Sequence, residues 1–265
     1  MTGFGDLAAE PFGEEWWQRA LNPEDHQRQL VPVGAQLVPV PVERMTALMQ
    51  AWAIGFAARR ADVAGHVLKL GSRGLHPDEC ASFLRGLDAG QLHADSAGFV
   101  TPNAARPKPV GGRYALCCKS GPGVTVNTEY IIQLGAVGEL VSWWGWRPED
   151  LQVEMTEFDL VGFDPTDRVV LAVEAKARVT GPDSLEKLFR SLLVLSKSDP
   201  PEARGNAERK YLQLLRFCES GPVVLWLIAA GARWAVVVNR SDDRLILKPG
   251  TGVGRQDVLA IREVQ

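Results

Sequence analysis

The sequence predicts an α/β fold, a mixed sheet flanked by helices, preceded by a mainly helical N-terminal domain. Three observations carry this. After Arg113 the apolar pattern runs helix, strand, strand, helix, helix, strand, strand, an order that packs helices onto a sheet. Before it, long stretches with few breakers carry apolar residues at three-to-four spacing, the period of a helix. Between the two lies PNAARPKPVGGR, Pro102 to Arg113, whose Pro and Gly content reads as a linker. The expected division is therefore 1–112 and 113–265.

Taken in order, EEWWQRAL reads as a short helix. LVPVGAQLVPVPV, Leu30 to Val42, is extended, because its repeated Pro forbids helix. VERMTALMQAWAIGFAARRADVAGHVLKL reads as one or two helices. HPDECASFLRGLDAGQL suggests another, with Pro near its start and Gly near its end. RYALCCKS is a short strand. VNTEYIIQLGAVGELVSWWGW is a helix from about Thr128, capped by Asn127 or Thr128. Its Gly135 and Gly138 weaken the helix and mark close packing. FDLVGF and RVVLAVEA are strands. SLEKLFRSLLVLS and NAERKYLQLLRFCES are amphipathic helices, and PVVLWLIAA and RWAVVVNR are strands.

The chain has 265 residues, 46% hydrophobic and 23% charged, enough apolar material for one large or two modest cores. A net charge of -3 argues against a basic, sequence-indifferent nucleic-acid coat but leaves local basic patches open. No apolar run reaches the roughly 18 residues of a membrane helix. MTGFGDLAAEPFGEEWW has neither the basic start nor the apolar core of a secretory signal, so a cytoplasmic protein is expected. Cys80, Cys117, Cys118 and Cys218 show no CxxC pairing. His76 and Cys80, four apart in HPDEC, are better read as a helix start at Pro77 than as metal ligands.

The chemistry lies in TEFDLVGFDPTDRVVLAVEAKAR, Thr156 to Arg178. Its two apolar strands are joined by DPTD, with Asp first and Pro second, as a type I turn prefers. If Phe163 sits opposite Arg168, Asp159 faces Ala172 and Glu157 faces Glu174. Alternation then puts Glu157, Asp159, Glu174 and Lys176 on one face. A slip of one residue would separate them. Neighbouring carboxylates repel, and burying them unpaired is costly. A divalent cation relieves both. Mg²⁺ or Mn²⁺ at such oxygens can polarise a phosphate, with Lys176 offsetting charge that builds on it.

Asp159 followed by Glu174-Ala175-Lys176 at the end of an apolar strand resembles the PD-(D/E)xK, or restriction-endonuclease-like, nuclease superfamily. GAVGELVSWWGW followed by this hairpin is similar to the helix-plus-hairpin order of Holliday-junction-resolvase-like members. The resemblance covers about Glu129 to Arg178 well, the later helices loosely, and the N-terminal half not at all. It implies a restriction-endonuclease-like sheet in 113–265 and metal-dependent hydrolysis of phosphodiester bonds, with DNA the expected partner. It implies Asp159 and Glu174 as metal ligands, the Ala175 carbonyl as a further ligand, Lys176 as the catalytic lysine and Glu139 as the helix carboxylate. Glu129, ten positions earlier on that helix, is the alternative to Glu139. Glu157 stands where many members have Pro or Glu.

Other stretches invite plainer readings. The tryptophans of SWWGWR could stack on bases but suit a core or interface better. Lys210 or Gln213 could reach the site, yet a solvated helix face is the simpler account. PGTGVGR lacks the Lys-Ser/Thr of a phosphate loop and a following amphipathic helix, and reads as a turn. Two further readings stay open: a non-catalytic binding or scaffold protein on this fold, and an unrelated α/β protein whose E-x-K is fortuitous. Residues 1–112 have no assigned role, leaving room there for a homodimer contact or a protein partner.

Overall fold

The computed structural model describes residues 12–21, 42–60, 62–63, 68–69, 74–103, 105–106, 112–121, 123–154, 156–199, 201–250 and 252–263. The extended segment expected over Leu30–Val42 lies, apart from Val42, outside them. The chain divides into two compact units. The first joins Met1–Pro32 to Thr156–Gln265, and the second is Val33–Met155. No helix among the described residues is long and apolar enough to cross a membrane.

The first unit opens with α1 (Glu14–Leu21). Glu14 and Glu15 lie in its first turn and Arg19 in its last, as the helix dipole favours.

The second unit contains α2 (Val42–Ala58), β1 (Leu68–Lys69), α3 (Pro77–Asp88), β2 (Leu92–Ala94), β3 (Phe99–Pro102), β4 (Tyr114–Ala115), β5 (Cys117–Ser120), β6 (Gly123–Val126), α4 (Thr128–Ser142) and β7 (Leu151–Val153). Two small sheets run β1-β6-β5 and β2-β3-β4. The boundary expected at residue 112 falls inside this unit. The Pro- and Gly-rich stretch joins two strands of one sheet: Phe99 pairs with Ala115 and Val100 with Tyr114. The strands on either side of it therefore pair with each other. Arg113 holds its far end, meeting Asp95 at 2.6 Å and lying over the Phe99 ring. The N-terminal region is also less helical than expected. Leu68–Lys69 forms a strand because its partner, Val124–Thr125, lies far along the chain, where local periodicity carries no information.

Caps explain both long helices near the centre of this unit. His76 accepts from the Asp78 N–H while the Glu79 carboxylate accepts from the His76 N–H, a reciprocal cap that accounts for HPDEC without a metal. Asn127 caps α4 through the Tyr130 N–H. Gly135 and Gly138 bring α4 against the Ser82–Gly86 backbone of α3, the close packing their positions predicted. Gly55 in α2 is tighter still, since a Cβ there would run into the Ser96 carbonyl oxygen. Gly55→Ala is therefore expected to lower stability by about 2 kcal/mol, overpacking outweighing the gain in helix propensity. Urea denaturation would read this as a lower midpoint with an unchanged slope.

The first unit resumes with β8 (Leu160–Phe163), β9 (Val169–Ala175), α5 (Leu185–Leu195), α6 (Asn206–Phe217), β10 (Val223–Ala229), β11 (Ala232–Ser241), β12 (Arg244–Pro249) and α7 (Arg255–Glu263). Its strands lie in the order β12-β11-β10-β9-β8. Only β9 and β10 are parallel among these neighbours; the rest are antiparallel. A parallel pair needs a long crossover, and α5 and α6 supply it. Apolar side chains of α1, α5 and α6 share a core with Ala172, Leu225, Leu227 and Val236 of the sheet. Trp16, Trp17, Phe189 and Trp234 form its aromatic part, and the Trp234 indole N–H donates to the Ala20 carbonyl at 3.0 Å. No amphipathic helix is expected after PGTGVGR, yet α7 follows it. Val258 is buried and Leu259 and Ile261 only partly, an apolar stripe too thin to recognise in advance.

Candidate active site

The site begins at the hairpin turn. The Asp167 N–H donates to the Asp164 carbonyl at 3.1 Å, closing the expected four-residue turn. The Asp164 carboxylate then accepts from the Thr166 N–H, the Thr166 hydroxyl and the Arg168 N–H. Asp167 adopts a left-handed backbone, φ 60°, which Asp tolerates better than most residues. This leaves three residues in the loop, so Asp164, not Phe163, sits opposite Arg168; its N–H donates to the Arg168 carbonyl at 2.9 Å. A second shift follows, because Phe163 pairs with Val169 but Gly162 with Leu171. The two single-residue shifts add to two. Side chains alternate with period two, so the expected faces survive although the expected partners do not.

Regular pairing ends at Leu160–Val173, and Asp159 lies just outside it. Its N–H donates to the Val173 carbonyl at 3.1 Å, and its Oδ2 accepts from the Ala175 N–H at 2.6 Å. The side chain thus takes the place of a strand carbonyl at the end of β9. Burial, and then the charge of Glu174, push the Asp159 carboxyl up to about 7; the Ala175 N–H, Lys176 and Lys210 pull the other way.

Glu174 is 1% exposed. In β9 it shares a face with Ala172, and that face looks into the core beneath α1, α5 and α6. A carboxylate so buried needs partners. Lys176 Nζ lies 2.8 Å from its Oε1, and Lys210 Nζ 2.6 Å from its Oε2. Lys176 Nζ also donates to the Ala175 carbonyl at 3.1 Å, while the Lys176 N–H continues the sheet to Ile228. Lys210 Nζ donates in addition to the Glu157 carbonyl and lies 4.9 Å from the Phe158 ring centre.

Asp159, Glu174 and Lys176 are therefore brought together as the alternation required. Ala175 offers a carbonyl at the same strand end. Glu157 is not turned inward: its carboxylate meets Arg209 at 3.1 Å at the surface, and only its carbonyl reaches the cluster. Glu139 and Glu129 both lie on α4 of the second unit. Glu139 is buried and accepts from the Ser82 hydroxyl at 2.5 Å, whereas Glu129 is partly exposed. The tryptophans of SWWGWR belong to packing: Trp146 is buried and Trp143 carries the Arg85 guanidinium on its face.

Lys210 is the main addition. The simpler reading placed it on a solvated face, but it is buried. The signal was available: Lys210 stands three after Ala207 and four before Leu214, on the apolar stripe of α6. Gln213 is partly exposed. Two grooves flank α5, and neither takes in Asp159, Glu174 or Lys176.

Among the described residues no three His, Cys, Asp or Glu gather as a metal-holding group. The donors of the hairpin still fit one kind of ion. Two carboxylates and a peptide carbonyl suit Mg²⁺, which takes few protein oxygens and keeps several waters. No family model matches the chain, and neither a curated protein nor a solved structure matches it.

Proposed function

We propose that the first unit carries a restriction-endonuclease-like, PD-(D/E)xK nuclease site that hydrolyses phosphodiester bonds in DNA with Mg²⁺ or Mn²⁺. The observation that carries this reading is the buried Glu174 beside Asp159 at the end of β9, with Lys176 on the same face. Asp159, Glu174 and the Ala175 carbonyl would hold the cation. When bound, it would supply a Lewis acid for the scissile phosphate. The chain's own part is positional and electrostatic. The Ala175 N–H orients the Asp159 carboxylate, and burial by α6 keeps water from Glu174. Lys176 Nζ can offset negative charge developing on the phosphate. Glu139 keeps its assignment as the helix carboxylate from the resemblance alone. Residues of the second unit would select the DNA, a protein partner or a second copy.

One observation favours a second reading, a scaffold without catalysis. Both oxygens of Glu174 are already neutralised by lysines. Such a cluster can serve as a purely structural element.

Cleavage assays separate the two. Plasmid, linear duplex, single-stranded and branched DNA, together with RNA, would be incubated with Mg²⁺, Mn²⁺ or EDTA. The nuclease reading expects metal-dependent cutting that falls by at least about a hundredfold in both Asp159→Ala and Lys176→Ala. Folded protein that cuts nothing and binds no metal would leave the scaffold. Equal cutting by wild type and both variants would remove the site assignment.

A further inference from the structure

We infer that Lys210 is an internal cation that competes with a divalent metal for Glu174, so that metal binding and the Lys210–Glu174 ion pair exclude each other. The inference rests on the metal reading of this site. Four observations carry it. Both Glu174 oxygens are occupied by ammonium groups, at 2.8 and 2.6 Å. Glu174 is buried, so water cannot share the burden of its charge. Lys210 comes from α6, outside the hairpin that bears the other site residues. It also has partners to fall back on, the Glu157 carbonyl and the face of Phe158. A displaced Lys210 would therefore keep a hydrogen bond and a cation–π contact, which lessen the cost of giving up Glu174.

The two roles open to Lys210 differ in sign. If it only braced the site, removing it would loosen the donors and weaken metal binding. If it competes, removing it frees one Glu174 oxygen and removes a like charge. At about 4 Å, repulsion between an ammonium group and a divalent ion exceeds the thermal energy several-fold even at an effective dielectric near 20. Competition should therefore win, and affinity should rise by about tenfold or more.

Calorimetric titration of the full chain with MnCl₂ tests this on wild type, Lys210→Gln, Lys210→Met and Lys210→Arg, with Asp159→Asn as the site control. Gln keeps an N–H for the Glu157 carbonyl and Arg keeps the charge. The expected result is binding about tenfold tighter or more in Lys210→Gln and Lys210→Met, near wild-type binding in Lys210→Arg, and loss of all of it with Asp159→Asn. Wild-type binding that Asp159→Asn removes, but that Lys210→Gln and Lys210→Met leave equal or weaker, would overturn the competition and keep the metal reading. Binding in no folded variant would overturn the metal reading, and the competition with it. Should the neutral variants not fold, nuclear magnetic resonance of the wild-type lysine ammonium groups decides. The Lys210 signal should shift as Mg²⁺ binds, and an unmoved signal at saturation overturns the competition.

Discussion

Glu174→Ala is expected to destabilise the first unit by about 3–5 kcal/mol, besides abolishing any cleavage. The reason is what it leaves behind. Lys210 is 4% exposed and Lys176 partly buried, so two ammonium groups would lose the carboxylate that compensates them. Burying an uncompensated charge costs far more than the pair itself contributes. The same cost predicts a rescue. Removing all three charges together, as Glu174→Leu with Lys176→Met and Lys210→Met, should restore most of the loss, because no orphaned charge remains. Cleavage should stay absent in that variant. Denaturant midpoints for both proteins check this. A Glu174→Ala protein as stable as wild type would mean that the lysines reach water on their own and the cluster holds nothing together.

The second large effect is a dependence on pH. The Asp159 carboxyl is raised to about 7 in the folded chain, against roughly 3.9 when unfolded. Between those values the folded state binds the proton more tightly. Stability from this group is therefore fully present below about pH 4 and is lost as pH rises through about 7. Its ceiling is about 4 kcal/mol, less whatever water reaches the half-buried carboxylate. The measurement is the difference between wild type and Asp159→Asn, since the other titrating groups are common to both. Wild type should lose stability relative to the variant between about pH 4 and about pH 7. Mg²⁺ favours the ionised form, so it should flatten that decline. A difference that does not change with pH would place Asp159 in a more open environment than its contacts indicate.

How much of this was legible in the sequence depends on range. The strands FDLVGF, RVVLAVEA, PVVLWLIAA and RWAVVVNR and the helices between them were readable, because each buries a strongly patterned run within its own length. The shared face of Asp159, Glu174 and Lys176 was readable for the same reason, alternation being a property of the strand itself. Their partners were not. Asp167 in the left-handed region and the offset at Gly162–Phe163 each moved the register by one residue, and neither leaves a pattern in composition. The inward surface survived because the two displacements had the same sense. Lys210 is hard to read in the sequence, because a lysine on a helix looks solvated until its partner, 36 residues away, is known. Pro and Gly mark where a chain turns, and not whether the strands on either side pair, as Phe99 and Val100 do with Ala115 and Tyr114.

The discontinuity of the first unit bears on the order in which the protein can assemble during synthesis. Residues 33–155 emerge as one uninterrupted stretch that forms one compact unit. The first helix, by contrast, rests on Trp234, whose indole meets Ala20 across 214 positions of sequence. Loop closure over such a span is slow. The interrupted unit is thus the late one: its first helix must wait for the chain as far as Trp234 before its aromatic seat exists. Vectorial synthesis would finish the inserted body first, leaving the unit that bears the acidic hairpin to close around its returning first helix.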